Sequence, residues 1–155
     1  MAGSSRIFLR PIGVVRTELN GKSLRKRSFC SQIVIDEEYE PALEGIESFS
    51  HLNVIFWMHS IRPAERRTMR ARPRRRSDMP VVGVLATRAP HRPNPIGLTV
   101  VELLEREGNV LKVKGLDALD GTPILDLKPY DYLDRVGRIR VPEWWRRLER
   151  LKTCG

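Results

Sequence analysis

The hydrophobic positions of this chain fall into short runs, and few of them follow a helical repeat. Residues 51–58 are almost entirely apolar, which predicts a buried strand. Gly108 and Asn109 separate two alternating runs, so they predict a hairpin turn. Pro11 indicates an edge position or a bulge in the first run. The strands expected from β-branched residues and partial alternation are residues 7–16, 33–35, 81–87, 96–106, 110–114 and 124–127.

Helical patterns are short and occur at two places. Residues 36–43 predict a short helix that Asp36 caps and Gly45 ends. Pro142 begins a second helix over residues 142–152, whose apolar face we expect to dock on the protein's own sheet. With no βαβ rhythm and no GxGxxG, the pattern predicts a mainly β protein, a small and mostly antiparallel barrel-like sheet with short helices rather than a Rossmann fold.

One loop, residues 86–98, holds a dense set of polar side chains, and we call it the proline loop. Its three prolines at 90, 93 and 95 restrict the backbone and remove donors, which predicts a stiff loop between two strands. It presents Arg88, His91, Arg92 and Asn94 within seven residues. Rigid loops on strands commonly carry binding groups, although an ordinary turn with solvated charges is the simpler alternative.

Composition bounds the class of protein. A chain of 155 residues with 41% hydrophobic residues fits one globular domain, residues 1–155. No stretch approaches the ~18 apolar residues of a membrane helix, so we expect no membrane partner. The two cysteines have no zinc-ligand spacing, which favours a reduced, cytoplasmic protein without a metal site.

Positive charge is concentrated in one internal segment. The net charge is +9 and the isoelectric point is about 10.2, values that suit a partner made of phosphates. Residues 62–76, here the arginine segment, contain eight arginines against the single acid Glu65. A solvated, highly soluble face is the alternative, but clustering beside the proline loop favours contact with RNA phosphates.

Several motifs, in order along the chain, carry a family resemblance. The proline loop reads Ala-Thr-Arg at 86–88 and His-Arg-Pro-Asn-Pro-Ile-Gly-Leu at 91–98. Before it stand Pro-Ile-Gly-Val-Val-Arg-Thr at 11–17 and Gly-Ile-Glu-Ser-Phe-Ser-His-Leu at 45–52, and after it comes the stretch 116–130, which contains Leu-Asp-Ala-Leu-Asp-Gly-Thr-Pro. Over residues 7–132 the chain resembles the TsaA-like, or TrmO, family.

This resemblance implies an activity and a partner. Its characterised members are S-adenosylmethionine-dependent tRNA (adenine-N6)-methyltransferases with a β-barrel fold. It implies methyl transfer to N6 of a threonylcarbamoyl-modified adenosine next to the anticodon, and a homodimer with the cofactor near the interface. A non-enzymatic basic β-barrel that binds RNA or an adenosine-containing cofactor stays as the alternative. The particular tRNA is left open.

The resemblance also assigns candidate residues. The cofactor is expected to contact His59, Ser60, Arg88, Leu98, Ala118, Leu119, Asp120 and Gly121. RNA contacts are expected from Arg72, Arg74, Arg75, His91, Arg92 and Asn94. The catalytic base is unassigned, with candidates Asp126, Tyr130 and His59.

The residue chemistry is compatible with these assignments but leaves simpler alternatives. Arg88 can hold the methionine carboxylate through two hydrogen bonds, and Asp117 or Asp120 can accept from ribose or adenine. The same aspartates could only stabilise a turn, and Asp126 could only pair with a neighbouring lysine. Likewise, His59 could be a partly buried histidine at a strand end.

Two departures from the family qualify the resemblance. Ala89 stands where the family often has serine. Many longer relatives carry a further C-terminal domain, which could alter tRNA affinity or choice.

Overall fold

The computed structural model describes residues 6–18 and 28–150, and they group into two compact units. The barrel unit comprises Met1–Ser60 and Pro95–Tyr130, as far as these are described. The arginine unit comprises Ile61–Asn94 and Asp131–Gly155. The expected single domain over residues 1–155 stays a prediction.

Six antiparallel strands close the barrel in the order β1-β2-β7-β6-β3-β8. They are β1 (Gly13–Arg16), β2 (Cys30–Ile35), β3 (His51–Trp57), β6 (Ile96–Glu107), β7 (Val110–Lys114) and β8 (Pro123–Pro129). Closure comes from β8, which pairs with β3 on one side and with β1 on the other. The mainly β, antiparallel barrel prediction is therefore confirmed.

The strands alternate inward and outward side chains, as a barrel wall requires. In β3, Leu52, Val54 and Phe56 are buried in the core, whereas Ile55 and Trp57 on the outer side are only half-buried. The prediction of a fully buried strand at residues 51–58 is thus wrong for one face, because the outer face of a barrel does not enter the core. The inner face continues with Val15, Ile33, Ile35, Val101, Leu111, Val113 and Ile124.

The hairpin prediction is confirmed. Glu107 pairs with Val110, which leaves Gly108 and Asn109 as a two-residue turn. Gly108 has φ of 57°, a left-handed value that two-residue hairpin turns place at their first central position and that glycine adopts without a steric penalty.

Other predicted elements are shorter than expected. Only Gly13–Arg16 of the run at 7–16 is a strand. Residues 37–43 form a 3-10 helix, Glu37–Leu43, that contains a proline, and the Asp36 side chain makes no capping hydrogen bond there. A further 3-10 helix, Ile46–Ser48, follows Gly45, whose φ of 86° is left-handed.

The arginine unit has a small two-stranded sheet and short helices. Its strands are β4 (Arg70–Ala71) and β5 (Val82–Gly83), and its 3-10 helices are Glu65–Arg67, Pro73–Arg75, Val84–Ala86 and Tyr132–Asp134. The strand predicted at 81–87 is wrong beyond Gly83. There the Thr87 amide and hydroxyl both donate to the Val84 carbonyl, at 3.1 and 2.7 Å, which closes a helical turn.

The C-terminal helix is present as α1 (Glu143–Arg150). Leu148 is buried, and the Trp144 and Trp145 rings contact each other with centroids 5.4 Å apart. Leu151, which belongs to the helix predicted over residues 142–152, lies outside the described residues. Its docking on the barrel stays a prediction.

Candidate functional site

Most of the candidate cofactor residues in the barrel unit lie at one end of the barrel. At this end, here the Trp57 end, β3 finishes while β6 and β8 begin: Trp57 pairs with Ile96, and Phe56 pairs with Ile124. His59 and Ser60 follow β3 directly and are exposed. Leu98 lies two residues into β6, where it pairs with Ile55 and is 50% exposed.

The start of β6 packs closely against β3, and a glycine makes this possible. The Met58 amide donates to the Pro95 carbonyl at 2.7 Å. Gly97 pairs with Phe56, and a Cβ at position 97 would lie 2.3 Å from that ring. The backbone of β6 can therefore approach the end of β3 only without a side chain at position 97.

The loop between β7 and β8 returns to the Trp57 end along β1. The Gly121 amide donates to the Val15 carbonyl at 2.9 Å, and Gly121 has φ of 74°. Asp120 Oδ1 accepts from the Thr17 amide at 3.0 Å, and its Oδ2 lies 4.0 Å from Arg16 Nη1. The loop's candidates Ala118, Leu119, Asp120 and Gly121 are thus held by β1, and one Asp120 oxygen already accepts a hydrogen bond.

The second loop aspartate has a structural partner. Thr99 is 5% exposed on the inner face of β6, and its Oγ1 donates to Asp117 Oδ1. This bond ties β6 to the loop that follows β7. Asp117 is a candidate for ribose or for a turn, and the sequence pattern does not predict Thr99 as its partner.

The three candidate bases are in different surroundings. Asp126 lies on β8, where it pairs with Ile55 of β3. Its carboxylate accepts from the Leu127 amide at 2.9 Å and lies 3.0 Å from Lys128 Nζ. Tyr130 follows β8 at the opposite end of β3, where its amide donates to the His51 carbonyl and the two rings lie 6.3 Å apart. His59 is at the Trp57 end, and it is exposed rather than partly buried.

In the arginine unit, Arg92 braces the proline loop. Its Nη1 donates to the carbonyls of Thr87 at 3.2 Å and Ala89 at 3.4 Å. The Ala89 amide donates to the Thr87 hydroxyl at 3.1 Å, and Thr87 is 8% exposed. Arg88 is exposed and follows the 3-10 helix Val84–Ala86, so its expected place at a strand end is wrong.

The arginines of the arginine segment are held in different ways. Arg72 Nη1 donates to the Met79 carbonyl at 2.7 Å. Arg76 makes two hydrogen bonds of 2.8 Å to Asp78, which lower the pKa of that carboxyl and raise the pKa of the guanidinium. Arg74 and Arg75 are exposed and have φ of 52° and 56°, a left-handed backbone that residues other than glycine rarely adopt.

His91 lies between two charged groups of this segment. Its Nε2 is 2.8 Å from Arg75 Nη2, and its Nδ1 is 3.5 Å from Glu65 Oε1. Glu65 Oε2 accepts from the Arg62 amide at 2.9 Å and from Arg62 Nε at 3.2 Å. These bonds, the amide first, lower the pKa of the Glu65 carboxyl. Glu65 is the single acid of the arginine segment, and this isolation is the sequence signal for its role.

The part of the chain that the structure describes has neither a candidate metal cluster nor a candidate membrane-spanning helix. Over residues 6–18 and 28–150, no three His, Cys, Asp or Glu side chains are grouped so that they could hold a metal ion. Within the same ranges, no helix has the length and apolar character needed to cross a membrane.

The fold and these side chains define a class: a small antiparallel β-barrel with polar groups gathered at one end, joined in sequence to an arginine-rich unit. Residues 19–135 match the family described as the tRNA-methyltransferase O N-terminal domain. The chain belongs to this family, and the TsaA-like (TrmO) resemblance is confirmed.

The similar proteins include one of about the matched length and others that are much longer. A probable S-adenosyl-L-methionine-binding protein of Methanothermobacter thermautotrophicus is 47% identical over 137 residues, covering 84% of this chain and 96% of that protein. The mouse tRNA (adenine(37)-N6)-methyltransferase is 42% identical over 137 residues, covering 82% of this chain but 31% of that protein. The crystal structure of TrmO from Pseudomonas aeruginosa is 34% identical with a TM-score of 0.70, covering 88% of this chain and 61% of that one.

The chain therefore spans only part of several relatives. It covers 37% of a probable S-adenosyl-L-methionine-binding protein of Archaeoglobus fulgidus, with which it is 46% identical over 141 residues.

Proposed function

We propose that this protein is an S-adenosylmethionine-dependent tRNA methyltransferase that acts on N6 of an adenosine next to the anticodon. The observation that carries the proposal is the gathering of His59, Ser60, Leu98 and the Asp120 loop at the Trp57 end. Relatives named for S-adenosylmethionine binding and for tRNA adenine methylation support it. The threonylcarbamoyl group on the substrate adenosine is part of the proposal.

The side chains at the Trp57 end fit such a cofactor. When bound, S-adenosylmethionine supplies a methyl group on a sulfonium, which is electrophilic without a metal. Asp120 retains acceptor capacity for ribose hydroxyls or the adenine amino group, because a carboxylate has about four lone-pair sites. A ligand can approach the backbone at Gly121, because glycine lacks a Cβ and nothing lies within 4 Å of the place where one would be. Arg88 as the partner of the methionine carboxylate stays a prediction.

His59 is the candidate base that we favour for the proton leaving N6. It is exposed at the Trp57 end, where a nucleophile and the cofactor methyl would have to meet. Asp126 is paired with Lys128. Tyr130 lies at the far end of β3, which at ~3.3 Å per residue is more than 20 Å away from His59 along the strand.

For tRNA, we propose that the arginine segment contacts phosphates. Arg74 and Arg75 are its best candidates: both are exposed, and the contact of Arg75 with His91 uses only one of its nitrogens. Arg72 is also exposed but donates to a backbone carbonyl, and Arg76 pairs with Asp78. Arg92 stabilises the proline loop through its hydrogen bonds to the carbonyls of Thr87 and Ala89, and a phosphate contact would be an additional role. The RNA roles of His91 and Asn94 are part of the same proposal.

We also propose a homodimer with the cofactor near the interface. The outer face of β6 exposes Ile96, Leu98, Val100 and Leu104 at 38%, 50%, 37% and 43%. Only Glu102 interrupts this apolar row, between Val100 and Leu104, and a mostly apolar row on a barrel wall is a surface that a second copy would cover. A cytoplasmic location, where tRNA is the available substrate, is proposed as well.

The test has two stages. Calorimetry with S-adenosylmethionine should give saturable binding to the full chain. Incubation with cofactor and threonylcarbamoyl-modified tRNA, followed by mass spectrometry of the nucleosides, should then show a methylated product. Cofactor or RNA binding without methyl transfer to either modified or unmodified tRNA would instead support the non-enzymatic barrel.

A further inference from the structure

We infer that His91 is a positioning residue that orients Arg75 for the tRNA backbone. The inference deepens the proposed function and rests on it, since it assumes that Arg75 contacts RNA. It starts from the 2.8 Å contact between His91 Nε2 and Arg75 Nη2. A guanidinium has only donors, so Nε2 must be the acceptor and carries no proton.

The other ring nitrogen completes the arrangement. A neutral imidazole with an unprotonated Nε2 carries its proton on Nδ1. That nitrogen lies 3.5 Å from Glu65 Oε1, so the N–H faces a carboxylate. Glu65 is in turn held by the amide and guanidinium of Arg62. The chain Arg62, Glu65, His91, Arg75 therefore sets the tautomer of His91 and presents its lone pair to Arg75.

The backbone at Arg75 explains why such support is useful. Arg74 and Arg75 are two consecutive non-glycine residues with φ of 52° and 56°. Left-handed backbone of this kind persists only where its surroundings stabilise it, and it concentrates at functional sites. Arg75 is exposed, whereas His91 and Glu65 are half-buried, with 23% and 27% of their side chains accessible. The half-buried His91 thus orients an exposed cation.

The same geometry leaves donors for a ligand. The His91 contact uses one Arg75 nitrogen, Nη2, and a guanidinium has five N–H groups in a planar fork. Such a fork matches the oxygens of a phosphate. Because an arginine held in one rotamer loses less entropy on binding, His91 should raise the affinity for phosphate without touching it.

The experiment compares two amides at position 91. In His91→Gln the amide reaches the place of Nε2 and keeps an acceptor for Arg75, whereas in His91→Asn it reaches only the place of Nδ1. Binding of the full chain to a tRNA transcript is measured by fluorescence anisotropy, without cofactor. We expect Arg75→Ala and His91→Asn each to weaken binding by about tenfold, the scale of one charge-assisted hydrogen bond, and His91→Gln to stay near wild type. Arg146→Ala, on α1, is the control for loss of one charge.

Two further measurements make the result decisive. The double variant Arg75→Ala/His91→Asn should bind no more weakly than Arg75→Ala alone, since the two residues act as one unit. Nitrogen-15 NMR of the wild-type imidazole should place the proton on Nδ1, and this reading does not depend on any variant folding.

The outcomes separate the two claims. If Arg75→Ala binds like wild type, the proposed RNA contact of Arg75 is wrong and the inference falls with it. If Arg75→Ala weakens binding but His91→Asn does not, the RNA contact stands and the positioning role is overturned. A wild-type ring with its proton on Nε2 also overturns it.

Discussion

Single arginines of the arginine unit differ in what holds their guanidinium groups. Arg72 and Arg92 donate to backbone carbonyls within the unit, whereas Arg75 is held by the side chain of His91. A guanidinium bound to a carbonyl stabilises the local backbone, so its removal leaves an acceptor without a partner. Substitutions at Arg72 and Arg92 therefore report on folding as well as binding, and Arg74 and Arg75 are the better probes of RNA contact.

Arg88→Ala should weaken S-adenosylmethionine binding and leave the protein folded. Arg88 is exposed, so its loss removes little packing, and a charge-assisted hydrogen bond to a carboxylate contributes roughly 1.5–3 kcal/mol, about one to two decades in affinity. Calorimetry gives the affinity and circular dichroism the fold. Arg146→Ala serves as the control, and a folded Arg88→Ala protein with wild-type affinity would exclude Arg88 from the cofactor site.

Glu65 gives a pH-dependent prediction. The Arg62 amide, then the Arg62 side chain, hold the pKa of Glu65 below its ordinary value of 4.5. Because the pKa of Glu65 is lower in the folded protein, the ionised carboxylate stabilises the folded state at pH values above its ordinary pKa. This contribution to the free energy of unfolding is lost as the pH falls through the folded-state pKa. In Arg62→Ala the backbone donor remains, so the pKa should rise but stay below 4.5. Carboxyl carbon-13 NMR titration measures it, and a complete return to the ordinary value would show that the amide contributes nothing.

At the scale of elements, local rules predicted strands and turns well where side chains alternate. The Gly108 turn and β6, found at Ile96–Glu107, follow from short-range pattern alone. Residues 81–87 failed because the Thr87 hydroxyl captures the Val84 carbonyl and turns the chain into a 3-10 helix. The hydrophobic pattern does not reveal that a side-chain hydroxyl competes with the sheet for a backbone carbonyl.

The sequence predicts candidate site residues only where they belong to a family motif. Asp120 was proposed from its loop, but its bond to the Thr17 amide joins residues 103 apart in sequence. The Thr99–Asp117 bond and the contacts of His91 with Glu65 and Arg75 likewise depend on tertiary structure. Such partners become visible only after the chain has folded.

Gly97→Ala should destabilise the barrel by about 1–3 kcal/mol, the usual cost of overpacking a core. The new methyl group would lie 2.3 Å from the ring of Phe56, which is itself 4% exposed and cannot move away freely. Gly83→Ala is the matched control, because nothing lies within 4 Å of a Cβ there. Urea denaturation should separate the two variants; equal midpoints would mean that β6 can shift to accept the methyl group.

For the whole molecule, the salt dependence of tRNA binding tests the arginine segment. Replacing Arg74 and Arg75 by Ala should weaken binding to different tRNAs nearly equally. On single-stranded RNA, each lost phosphate contact should reduce the log–log salt slope by about 0.7. Fluorescence anisotropy at several salt concentrations measures this, with S-adenosylmethionine affinity as the internal control. An unchanged slope would make these arginines a solvated surface only.

The proposed homodimer has its own test. Val100 lies in the middle of the apolar row on β6 and is 37% exposed. Val100→Glu should convert a dimer to a monomer at micromolar concentration, because a charge buried at an interface without a partner is costly. Gln32→Glu, an exposed position on β2, is the control. Light scattering that shows wild type and Val100→Glu in the same state would remove this face from the interface.

The hydrogen bond from Met58 to Pro95, 2.7 Å long, has a consequence for how this fold can change. It joins the two places where Ile61–Asn94 leaves and re-enters the barrel unit, and β3 and β6 pair directly at Trp57 and Ile96. An insertion whose two ends already meet adds only a small, slowly growing loop-closure entropy as it lengthens. We therefore expect that this segment can change in length without altering the strand register of the barrel.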